Sequence, residues 1–117
     1  MSSLQVTEQE SAAVATAPRV ALSDIEAGIA QRWDFNAGSV IRQFVEEPHR
    51  NRADVALDLL SICVLVMKNG FTVIGKSAPA SPENFNPELG KKFAYEDAIR
   101  QLWPLMGFAL RDRLANG

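Results

Sequence analysis

The stretch CVLVMKNGFTVIG, residues 63–75, places two apolar, β-branched runs on either side of Lys68, Asn69 and Gly70. Asn69-Gly70 is a strong hairpin signal, because both residues tolerate the positive φ that a type I′ turn requires. The flanking runs suit strands. A two-residue loop sets Lys68 opposite Phe71 and Val66 opposite Val73, and puts Leu65 with Ile74 on the other side. Both faces of the first strand are then apolar, so both are expected to be covered. A lone hairpin is marginal in water. A third strand from the ambiguous residues 39–60, or a partner, must complete the sheet or bury its face. A homo-oligomer is one such solution.

Downstream, Pro79, Pro82 and Pro87 restrict the loop that follows the hairpin. Asn86-Pro87 predicts a helix start, with Asn as N-cap and Pro at the first helical position. Leu89, Phe93, Ala94, Ala98, Leu102 and Leu105 form an apolar stripe at helical spacing, continued by Met106, Ala109, Leu110 and Leu114. Glu96 and Arg100 are an i,i+4 pair. Pro104 predicts a kink or a break after Trp103.

Upstream, Ser23 and Glu26 have capping-box spacing, and Leu22, Ile25, Ile29 and Trp33 share one helical face. A short helix over residues 23–33 follows, then a turn over residues 34–38. Residues 39–47 are ambiguous and end at Pro48, and the polar, basic segment after it reads as a loop. Residues 1–19 carry no aromatic side chain and read as a flexible tail. The expected class is α+β: a short N-terminal helix, a central β-hairpin extendable to a three-stranded sheet, and a long kinked C-terminal helix. Residues 20–117 form a single domain in this reading.

At 117 residues, 47% of them hydrophobic, the chain buries one small core. The net charge of −2 argues mildly against a general nucleic-acid binder. The single cysteine, Cys63, forbids an internal disulfide and fits a reducing compartment. Glu8 and Glu10 stand where a secretory leader would be basic and then apolar, so no signal is expected. The longest apolar run, residues 62–67, is too short to span a bilayer.

From residue 60 to residue 114 the order of motifs resembles the gp forty-nine, or gene sixty-six, family of phage proteins. The matching residues are Lys68 to Phe71, Gly75 to Ala78, Ser81 to Phe85, Ala94 with Ala98, Trp103 to Leu105, Gly107-Phe108, and Leu110 to Leu114. The resemblance implies a phage-encoded accessory protein acting in the bacterial host cytoplasm. It implies no activity.

The chemistry is sparse. His49 is the only histidine, which excludes a multi-histidine metal site or a His-based triad within one chain, and its segment reads as exposed loop. The neighbouring carboxylates Glu46-Glu47 and Glu96-Asp97 diverge by about 100° on a helix and read as solvated surface. No metal spacing and no phosphate loop is present, so neither a cofactor nor catalysis is expected. Two surfaces remain. Ser81, Glu83, Asn84 and Phe85, with Lys91 and Lys92, are the candidate contact for a phage or host protein, with Phe85 as an aromatic anchor or as a plug over the hairpin. Lys91, Lys92, Arg100, Arg111 and Arg113 are the alternative, a basic patch for nucleic acid. The lysines at that helix start are weakly similar to the last helix of double-stranded-RNA-binding domains.

Overall fold

The computed structural model describes residues 3–14, 17–52 and 55–117. Helix α1 spans Ser3–Val14, α2 Leu22–Ala27 and α3 Ala37–Ile41, and α4 runs from Pro87 to Asn116. Strands β1 (Ile29–Asn36), β2 (Ser61–Met67) and β3 (Thr72–Ser77) form one antiparallel sheet in the order β1-β2-β3. The class is α+β, as expected.

The third strand comes from the residues expected to end the first helix. Ile25, Ile29 and Trp33 fit a helical period, but Gln31, Trp33 and Phe35 also alternate with Arg32, Asp34 and Asn36. Gly28 ends α2 after only six residues. Pairing with β2 then decides in favour of the strand, with Trp33 opposite Val64 and Phe35 opposite Ile62. The helix start also differs from the expected Ser23–Glu26 box. Ala21 is the N-cap, and its N–H donates to Asp24 Oδ2 at 2.8 Å.

The hairpin turns one residue wider than a type I′ turn. Gly70 has φ +89° and is the only described residue with a positive φ, so Asn69 does not take up the I′ geometry. Met67 N–H donates to Phe71 O, and Gly70 N–H to Met67 O, both at 2.8 Å. Lys68, Asn69 and Gly70 therefore form a three-residue loop closed by glycine. The register moves by one: Leu65 opposes Val73, and Val64 opposes Ile74. A one-residue slip exchanges the faces. Leu65 and Val73 share the buried side, and Ile74 faces out with 59% exposure.

One face of the sheet carries the core. Cys63, Leu65, Met67 and Val73 pack against Ala94, Ala98, Ile99 and Leu102 of α4 and fully buried Ile25 of α2, with Leu4 of α1 in the same cluster. Within the single chain the other face is open. The free edge of β3 is occupied by side chains of α4. Lys76 N–H donates to Asp97 Oδ2 at 2.9 Å, and Gln101 Nε2 donates to Ile74 O at 2.7 Å. Two of the outward-facing backbone groups of this edge strand, Lys76 N–H and Ile74 O, are thus satisfied within the chain.

Much of the expected tail is helix α1. Leu4 is buried. Glu8 accepts from Arg19 and, at 2.9 Å, from the N–H of Leu22 at the start of α2. Arg19 holds the Glu8 carboxyl below its ordinary pKa, so this tie persists above the ordinary carboxylate range and is lost as pH falls. Trp103 Nε1 donates to Val20 O at 3.1 Å, fixing the segment before α2 against α4.

Helix α4 continues through Pro104, so of the expected kink or break there is no break. Asn86 caps it, its Oδ1 accepting from Glu88 N–H at 3.0 Å and Leu89 N–H at 3.1 Å. Asn86→Ala is expected to lower stability by about 1 kcal/mol. Urea denaturation measures it, and an Asn86→Ser variant is expected to keep most of the stability.

Candidate functional site

The loop between β3 and α4 is ordered by its own short contacts. Pro82–Asn84 is a turn of 3-10 helix. Asn84 N–H donates to Ser81 O at 3.0 Å, and Phe85 N–H to Pro82 O at 3.1 Å. Ser81 Oγ donates to the Glu83 carboxylate, which holds the Glu83 pKa down. Ser81 and Glu83 are therefore engaged with each other, while Asn84 is exposed.

Phe85 is half-buried. It folds back toward Gly90, where a Cβ, if one were added, would lie 3.9 Å from the Phe85 ring. Of the two roles open to it in the sequence, plug and anchor, this position is that of a plug. The exposed apolar groups beside the loop are Leu89 and Phe93, 46% and 47% exposed. With Ser77, Pro79 and Asn84 they line a shallow groove. The sequence stripe placed both in the core. Their exposure follows from the narrow contact between α4 and the sheet, which Ala94, Ala98 and Ile99 already fill.

The basic residues do not converge. Lys91 lines a cleft with Asp34, Ser61, Phe85 and Glu88. Lys92 points elsewhere, beside Glu26, Tyr95 and Glu96. Arg100 donates to Ser3 Oγ at 2.6 Å. Arg111 and Arg113 are exposed near the far end of α4, so Lys91 and Arg113 stand about 33 Å apart along the helix. Glu96 is buried rather than solvated, 4% exposed, and accepts from Ser3 Oγ at 3.2 Å. The Ser3 hydroxyl thus sits between the expected pair Glu96 and Arg100.

A second cluster lies under β1. Arg32 stacks 4.0 Å over the Tyr95 ring and its Nε donates to Asp34 Oδ2 at 2.9 Å. Tyr95 OH donates to Glu26 Oε2 at 2.9 Å. Burial, then Glu26, raises the Tyr95 pKa. Burial, then the charge of Asp34, pushes the Cys63 thiol up to about 11. A fully buried thiol with so little thiolate is a poor nucleophile. Native protein at pH 8 is expected to resist iodoacetamide and to react fully once unfolded in urea, as read by intact mass. Stability is expected to fall as pH rises from the ordinary thiol range toward 11, because the folded chain holds this proton more tightly. Among the described residues no group of three or more His, Cys, Asp or Glu could hold a metal ion, and no helix is long and apolar enough to cross a membrane.

A family model described as the phage protein (N4 Gp49/phage Sf6 gene 66) family matches residues 20–114. The match takes in the hairpin, the loop, most of α4 and, upstream, α2 and β1. No curated protein and no solved structure matches the chain.

Proposed function

Because the chain belongs to the phage protein (N4 Gp49/phage Sf6 gene 66) family, we propose that it is a non-catalytic phage accessory protein that binds a phage or host protein in the bacterial cytoplasm. The contact surface in this reading is loop 81–85 with the first turns of α4. The observation that carries it is the pair Leu89 and Phe93, one turn apart and about half exposed beside a proline-braced loop. A pre-ordered aromatic surface loses little conformational freedom on binding. Asn84 supplies a polar group at its rim, and Lys91 and Lys92 lie on the same turns of α4 but line other clefts.

The test is recovery of partners by the tagged full chain from host and infected lysates, with and without nuclease, read by mass spectrometry. Wild type is expected to retain a specific protein partner after nuclease, and Asn84→Ala with Phe93→Glu to lose it. Both side chains are exposed, so the fold is expected to tolerate the changes, which circular dichroism checks. Unchanged recovery by the double variant would remove this surface from consideration.

A second reading is association with nucleic acid through Lys91, Lys92 and the arginines of α4. The third strand favours it. With α3 and the 3-10 turns between β1 and β2 set aside, the order α2, three antiparallel strands, α4, with lysines opening the last helix, resembles that of double-stranded-RNA-binding domains. The net charge of −2, Glu88 in the first turn and the dispersal of the basic groups weigh against it. Binding driven by phosphates falls steeply between about 50 and 200 mM salt, whereas contact through Phe93 does not.

A further inference from the structure

We infer that two copies of this chain pair face to face through the open side of the sheet, with the two-fold axis parallel to the strands and passing over β2. The open face has three rows across the strands. The middle row is Trp33, Val64 and Ile74, wholly apolar, with Trp33 60% and Ile74 59% exposed. The row toward the Asn36 end is Phe35, Ile62 and Lys76. The row toward the hairpin is Gln31, Val66 and Thr72.

An axis along the strands keeps each row on itself and exchanges β1 with β3. Trp33 then meets the second copy's Ile74, and Phe35 meets its Lys76. Gln31 meets Thr72, and the β2 side chains meet their own counterparts. Every contact joins compatible chemistry. Lys76, the only charged side chain among the described strand residues of this face, comes over an aromatic ring instead of over its own copy. The large β1 side chains oppose smaller or flexible ones on β3, which keeps the layer even. An axis across the strands fails this test: its inversion of the strand direction sets the row of Phe35 and Lys76 against that of Gln31 and Thr72. Edge pairing through β3 is closed off by Asp97 and Gln101. A face of three strands measures about 14 by 20 Å. With side-chain relief it offers on the order of 500 Å² per copy, close to the smallest specific interfaces. The pair is therefore expected to be concentration-dependent.

Sedimentation equilibrium of the full chain, from low micromolar to submillimolar concentration, tests this. The mass is expected to rise toward twice the 12.8 kDa chain mass. Trp33→Lys and Ile74→Glu, each at an exposed position, are each expected to weaken the pair about tenfold or more. The two changes together in one chain set the new ammonium of each copy against the new carboxylate of the other across the axis. They are expected to restore the pair, although β2 separates the two positions within a chain. Phe108→Glu, at an exposed position of α4, is expected to change nothing. Circular dichroism checks folding of each variant. A wild-type chain monomeric at every concentration overturns the inference. So does a pair that survives Ile74→Glu, a pair broken by Phe108→Glu, or failure of the doubly changed chain to regain what each single change loses. The substituted positions Trp33 and Ile74 lie in the middle row, whereas the loop 81–85 surface borders this face only at Phe35 and Ile62, which share a cleft with Phe85 and Lys91, so the loss of pairing by these variants is read separately from partner recovery.

Discussion

Gly75→Ala is expected to lower stability by about 3 kcal/mol or more, the upper range for overpacking a core. A Cβ added at this position would overlap Ala94 O and lie 2.6 Å from Ala98 N and 2.9 Å from Ala98 Cβ. None of these atoms is the end of a flexible side chain, so α4 itself has to move. Gly75 lies on β3 without a positive φ, and the cost comes from the contact, not from backbone freedom. Ala94 and Ala98 are fully buried at the same place. Glycine on the strand and alanines on the helix together let the two elements approach closely. Urea denaturation compares this variant with Gly107→Ala. Gly107 lies within α4, and a Cβ added there would meet nothing within 4 Å. That change is expected to stabilise by about 1 kcal/mol, as alanine does in an exposed helix. A Gly75→Ala chain as stable as wild type would mean that α4 does not sit on β3 in this way.

Leu65→Ala is expected to cost about 2–5 kcal/mol. Leu65 is fully buried on the central strand, between the sheet and α4. Removing its side chain leaves a cavity that neighbours in two strands and a helix cannot close. Ile74→Ala, measured in dilute protein so that association does not contribute, is expected to cost under about 1 kcal/mol, since Ile74 is already 59% exposed. The comparison also checks the hairpin register. With a two-residue loop, Leu65 and Ile74 would share a face, and the two losses would be alike. Equal losses would therefore overturn the three-residue loop.

The two strands of the hairpin and the start of α4 were legible in the sequence because they rest on local chemistry. Two β-branched runs around Asn69-Gly70 and the Asn86-Pro87 pair each act within a few residues. The register was not legible, because Asn-Gly accommodates both a type I′ turn and a wider loop in which glycine alone has positive φ. β1 was hidden by a coincidence of periods: Ile25, Ile29 and Trp33 fit a helix as well as Gln31, Trp33 and Phe35 fit a strand. Only pairing with β2, distant in sequence, separates the two. α1 was missed for a similar reason. Its composition is polar, and what holds it is long-range: Leu4 in the core, Glu8 at the start of α2, and Ser3 between Glu96 and Arg100. Of the candidate surface, the loop was legible from its prolines. The exposure of Leu89 and Phe93 was not, because an apolar stripe gives its width without saying how much of it the facing sheet can cover.

The stoppered edge of β3 sets a limit on growth. A sheet polymerises through its backbone only if it offers two free edges, one to receive a strand and one to pass the template on. Asp97 and Gln101 take one N–H and one C=O at the middle of the β3 edge and lie across it, which leaves β1 as the edge open to a newcomer. Strand addition at β1 between identical chains then ends with two copies, since neither has a second edge to offer. A small protein with an apolar sheet face could accumulate to high concentration without seeding a cross-β fibre along that sheet, and the side chains that prevent it belong to the helix.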